Sequence, residues 1–183
     1  ESKLIATTGH LGGIRGSASN TISGSTLLNT NITGEGVNGV GGIVGHGSNF
    51  TGTDTYVKKC NVIDSNISGN SQVGGISVGA TVKIENCFVG GKEIETFEEG
   101  KYAVTITGND SVGGIIGDPG VISSAGQSMI TMIGTNISNS LIKGTTNADY
   151  LVGIHGRFST TYSGTQVETI TSSNYTDCKT DIQ

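Results

Sequence analysis

A short hydrophobic phrase built on glycine returns five times in this chain: 11-LGGIRG-16, 40-VGGIVG-45, 73-VGGISVG-79, 112-VGGIIG-117 and 151-LVGIHG-156. One such unit cannot bury its own apolar residues, so units of this size must stack on one another. The phrases start at Leu11, Val40, Val73, Val112 and Leu151, which are 29, 33, 39 and 39 residues apart. The shortest step approximates the unit, and the longer ones carry insertions.

Aligned on the phrase, apolar residues fall into columns. Ile14, Ile43, Ile76, Ile115 and Ile154 follow the first column. Ile22, Val57, Ile84, Met132 and Ile170 form the next, then Leu27, Val62, Val89, Ile137 and Tyr175. Ile32, Ile67, Ile106 and Ile142 form the last, with Thr180 in the final unit. β-Branched residues alternate over short stretches such as Val104-x-Ile106, and no stretch sustains a 3.6-residue apolar period. Gly34, Gly69, Gly108 and Gly144 recur behind the last column, where a corner is expected to need a permissive backbone. The paired glycines of the phrase sit where a side chain would obstruct stacking or a tight bend. These features predict an all-β chain: a right-handed parallel β-helix (β-solenoid) of about five coils with three short strands each. Right-handedness follows from the strong bias of parallel crossovers. The expected organisation is one repeat domain over 1–183, cut from a longer polypeptide because the pattern begins and ends mid-unit.

Composition narrows the function classes. Glycine supplies 31 of 183 residues and only 14% are charged, but the 33% that are hydrophobic are placed regularly, which disorder would not require. The net charge is −5 and the ten Lys and Arg are scattered, so phosphate-tracking nucleic-acid binding is not expected. Apolar runs fall far short of the roughly 20 residues that span a bilayer. No leader peptide is expected in a chain opening Glu1-Ser2-Lys3.

Catalytic and metal signatures are sparse. There is no HExxH and no G-x-S-x-G. His46 and His155 follow equivalent phrases three units apart, too far to share a metal ion, and with His10 read as surface residues. Asp54, Asp64, Asp110 and Asp118 occupy different columns, which argues against a convergent acidic centre. Calcium-binding turns would repeat an Asp after Gly-Gly, where this chain has Ile. No catalytic residue, metal or cofactor is expected. Cys60 and Cys87 share a column with Ser25, Thr135 and Ser173 and read as free, buried thiols; Cys178 stands apart.

The unequal parts lie in the insertions 46-HGSNFTGTDTY-56, 118-DPGVISSAGQSM-129 and 155-HGRFSTTYSGTQ-166. All three leave one corner of the aligned unit. They carry Phe50, Tyr56, Arg157, Phe158 and Tyr162, although only 5% of residues are aromatic. Aromatic and Arg side chains on loops held by a rigid scaffold are typical binding anchors, so these five are the candidate binding residues. Pinning of the loops onto the scaffold accounts for them equally well. A fourth insertion, 90-GGKEIETFEEGKYA-103, carries most of the local charge and reads as a solvated hairpin.

Ile84-Glu85-Asn86-Cys87-Phe88-Val89, followed by Val112-Gly113-Gly114-Ile115-Ile116-Gly117, resembles the GLUG repeat, and the likeness runs through nearly the whole chain. The resemblance implies a β-solenoid in large secreted or surface-anchored bacterial proteins. These include adhesins and the non-catalytic regions of immunoglobulin A-cleaving metallopeptidases. Extracellular or cell-surface placement follows from it. So does a non-enzymatic role as stalk, adhesive surface or substrate-docking arm. Its partners would be a surface protein or glycan and neighbouring domains of the same polypeptide. The alternative is a glycan-acting lyase or hydrolase on a parallel β-helix, a fold that also hosts such enzymes.

Overall fold

The structure, a computed structural model, describes residues 2–18, 20–47, 55–79, 81–91, 101–118, 128–144, 150–152, 166–171, 174–176 and 178–182. Among these the chain is all-β, without helix, and its strands form five parallel sheets. Sheet I comprises His10–Gly12, Gly39–Gly41, Gln72–Gly74, Ser111–Gly113 and Tyr150–Val152. Sheet II comprises Arg15–Ala18, Val44–Gly47 and Ser77–Gly79, with Ile116 bridged to Ser77. Sheet III comprises Thr21–Ser23, Thr55–Lys58, Thr81–Glu85, Ser128–Ile133 and Gln166–Thr171. Sheet IV comprises Thr26–Leu28, Asn61–Ile63, Phe88–Gly90, Asn136–Ser138 and Asn174–Thr176. Sheet V begins with Ser2–Ala6 and continues through Thr30–Gly34, Asn66–Gly69, Val104–Gly108, Ser140–Gly144 and Lys179–Ile182.

Successive repeats visit the sheets in the same order, so each strand pairs with its counterpart one repeat away. The register follows the apolar columns. Val73 pairs with Val40 and Val112, Ile84 with Val57 and Met132, Val89 with Val62 and Ile137, and Ile106 with Ile67 and Ile142. In the second column Ile43 N donates to Ile76 O and Ile76 N to Ile115 O. These side chains form one continuous core and are essentially inaccessible to solvent. Burial of each aliphatic side chain contributes roughly 1.5–3 kcal/mol.

Three strands per repeat were expected, and the repeat contributes to five sheets. Most segments are three or four residues long and point a single apolar residue inward, so period-two alternation has nothing to repeat over. The glycine phrase, expected as one unit, spans the turn between sheets I and II.

The corner glycines also differ from expectation. Gly34, Gly69 and Gly108 are absent from the positive-φ residues. What they supply is room: a Cβ on Gly69 would lie 2.7 Å from Val40 Cγ2 and 2.9 Å from Val73 Cγ2, and one on Gly108 would lie 2.8 and 2.9 Å from the same atoms of Val73 and Val112. Left-handed residues occur elsewhere. Gly24, Lys59, Asn86 and Gly134 turn the chain from sheet III to IV, and Asn29, Asp64 and Asn139 turn it from IV to V.

After these turns comes a small inward residue that relays hydrogen bonds. Ser65 Oγ donates to Ile63 O at 2.7 Å and accepts from Thr30 N, one repeat away, at 3.1 Å. Thr135 Oγ1 donates to Ile133 O at 3.4 Å and accepts from Cys87 N at 3.3 Å. Cys87 Sγ likewise donates to Glu85 O at 3.5 Å and accepts from Cys60 N at 3.4 Å. A side chain thus takes a backbone N–H at a corner where the ladder bends away.

A charged aromatic cluster on sheet III

Strand Thr55–Lys58 alternates: Thr55 and Val57 are fully buried, which leaves Tyr56 and Lys58 on the outer face. In the neighbouring strand Lys83 pairs with Tyr56 and Glu85 with Lys58. The four side chains form one cluster. Lys58 Nζ lies 5.3 Å and Lys83 Nζ 4.9 Å from the centre of the Tyr56 ring, within cation–π range. The Tyr56 hydroxyl donates to Glu85 Oε2. That bond raises the Tyr56 pKa, with burial and the Glu85 charge adding to it. An aromatic face, two ammonium groups and a carboxylate therefore meet within two strand rungs. Such a patch has hydrogen-bond donors for an anionic or polyhydroxylated ligand and an apolar face for stacking.

Of the expected binding residues, Tyr56 is on a strand rather than in a loop, because strand pairing with Thr81–Glu85 extends back to Thr55. Phe50, Arg157, Phe158 and Tyr162 lie outside the described residues. The feet of the three insertions are described. Residues 48–54 connect sheet II to Thr55–Lys58, residues 119–127 lead to Ser128–Ile133, and residues 153–165 lead to Gln166–Thr171. All three therefore return to the chain on sheet III. The charged insertion falls instead between sheets IV and V, and its residues 92–100 lie outside the described residues.

Lys58, Lys83 and Glu85 were not anticipated. Each alternates with an apolar residue along its strand, and the register between the two strands places them around one ring. Two of the histidines, read from the sequence as surface residues, meet. His10, on sheet I, stacks against His46, on sheet II of the next repeat, with ring centroids 4.4 Å apart and planes 27° apart. Burial lowers the His46 pKa, and the neighbouring His10 lowers it further. His155 lies outside the described residues.

Asp64 lies apart from Asp110 and Asp118, which reach two adjacent residues, Ser71 and Gln72. Asp64 follows sheet IV, Asp110 accepts from Ser71 Oγ at 3.4 Å beside sheet I, and Asp118 accepts from Gln72 Nε2 at 2.5 Å beyond sheet II. Asp54 lies outside the described residues. Among the described residues no three His, Cys, Asp or Glu side chains converge to hold a metal ion. No described helix is long and apolar enough to cross a membrane. An open groove of about 430 Å³ lies behind sheet V, lined by Thr33, Gly34, Glu35, Gly36, Ser68, Gly69 and Asn70. Comparison with known proteins adds no relative: no protein-family model, no curated protein and no solved structure matches the chain.

Proposed function

We propose that the chain is a non-catalytic docking module of a bacterial cell-surface or secreted protein, built as a right-handed parallel β-helix of about five coils of the GLUG-repeat type. The single observation that carries this reading is the placement of Tyr56, Lys58, Lys83 and Glu85 on the outer face of sheet III, the sheet to which three insertions return. A stacked scaffold costs little to extend and holds surface groups in fixed register, which suits a stalk or adhesive surface. Ligand binding would be shared between the sheet III cluster and the insertions that carry Phe50, Arg157, Phe158 and Tyr162. The partner is a surface glycan or protein presented to the exterior of the cell.

The test combines a glycan array with an assay for sugar release, using the whole chain and its Tyr56→Ala and Lys83→Ala variants. Binding without turnover, weakened at least tenfold by either substitution, is the expected result. Turnover of any bound glycan that an aspartate substitution abolishes would overturn it.

A further inference from the structure

Cys60 and Cys87 occupy equivalent positions in consecutive repeats, at the corner between sheets III and IV. Their flanking strands pair in register on both sides, Val57 with Ile84 and Asn61 with Phe88. Strand spacing therefore sets the two Cα atoms about 4.8 Å apart, inside the range of roughly 4.4–6.8 Å that a disulfide spans. Both side chains turn into the core, at 0% and 2% exposure. Cys87 Sγ already reaches across to the preceding repeat, 3.4 Å from Cys60 N. The two are free thiols in this structure. Thr135 does the same hydrogen-bonding work at the equivalent corner of the following repeat, so that work alone does not call for sulfur.

We infer that Cys60 and Cys87 are a redox-modification site, closing into a disulfide that clamps the second repeat to the third when the chain meets a low-molecular-weight disulfide. The Cys60 thiolate attacks one sulfur of that oxidant, whose S–S bond breaks and releases one thiolate. Cys87, deprotonated in turn, attacks the Cys60 sulfur of the mixed disulfide and expels the second thiolate. The two protons lost by Cys60 and Cys87 end on the two departing sulfurs, and the oxidant takes up the two electrons. The order of attack follows from the corner. The neighbouring Cys87 holds the Cys60 thiol below its ordinary range against the opposing effect of burial, with hydrogen bonds near Ser25 and Gly24 assisting. Its pairing with Cys60, together with burial, pushes the Cys87 thiol up. Because both sulfurs are covered, the first attack waits on a transient parting of the two repeats at this corner.

The experiment treats the whole chain with oxidised glutathione, quenches it with acid, and alkylates the unfolded protein with N-ethylmaleimide before mass analysis. Two of the three cysteines should escape alkylation, and a peptide linked through Cys60 and Cys87 should appear. The thermal midpoint should rise on the order of 5–10 °C and fall back with dithiothreitol. Cys178→Ser should leave all of this unchanged. Cys60→Ser, which keeps a corner hydroxyl, should fold with the same circular dichroism but lose both the link and the rise. Three alkylated cysteines, glutathione adducts without a link, or a link through Cys178 would each overturn the inference.

Discussion

Gly69 and Gly108 have no side chain because two valines of adjacent repeats occupy the space. Val40 and Val73 close over the first, Val73 and Val112 over the second. Gly69→Ala forces a methyl into contacts under 3 Å and should destabilise the chain by about 1–3 kcal/mol, measured by urea unfolding; an unchanged midpoint would show that the valines yield freely. The glycine column was legible in the sequence, but its cause was not, since spacing does not separate a φ requirement from a volume requirement. Conversely, the left-handed turns fall on Lys59, Asp64 and three asparagines as well as on glycine, and Lys59 has no composition to announce it. His46 makes a pH prediction at the same scale. Its folded pKa is below the unfolded value of 6.5, so the neutral ring is the favoured form and its contribution to stability is complete above that value. Stability should decline as pH falls below 6.5, because proton uptake then favours the unfolded chain and charges a ring stacked on His10. Ser17 opposite and Arg15 on the same sheet offer no carboxylate to offset that charge. A pH series of unfolding free energies should flatten in His46→Gln; an identical slope in both proteins would contradict the assignment.

Short strands govern what was readable at the scale of elements. Registers were legible because each inward position repeats the same residue class in every unit, so Ile22, Val57, Ile84 and Met132 align without reference to strand length. Strand number was not, because three-residue segments separated by one left-handed residue leave no alternation to read. Contacts between different sheets were also hidden: His10 and His46 meet only because sheets I and II fold against each other. The Tyr56 cluster is intermediate, with its members visible and its pairing supplied by register. Glu85→Gln tests that pairing directly. Replacing the carboxylate with an amide removes the negative charge and leaves only a weaker, neutral acceptor, so the Tyr56 phenol should ionise closer to its ordinary pKa of 10.0. Difference absorbance against Tyr56→Phe isolates this titration from the other tyrosines; a curve unmoved by the substitution would show that Tyr56 and Glu85 are not bonded in solution.

Over the described residues the molecule is a stack whose interior is uniform and whose surface is not. Val40, Val73 and Val112 are fully covered, while Leu11, at the first repeat, keeps 9% of its surface and Ile14 keeps 45%. Core columns run through repeats of unequal length, since insertions leave at corners and rejoin in register. That arrangement separates a scaffold, set by the glycine phrase, from a variable face on sheet III where docking is proposed. Its central claim is the pairing of residues at unequal sequence distances, and inter-repeat nuclear Overhauser contacts measured on labelled protein test it most directly. Backbone contacts are expected from Val73 to both Val40 and Val112, and from Ile106 to both Ile67 and Ile142, all in parallel register. Contacts at one constant separation along the chain, or antiparallel pairing of these strands, would contradict it.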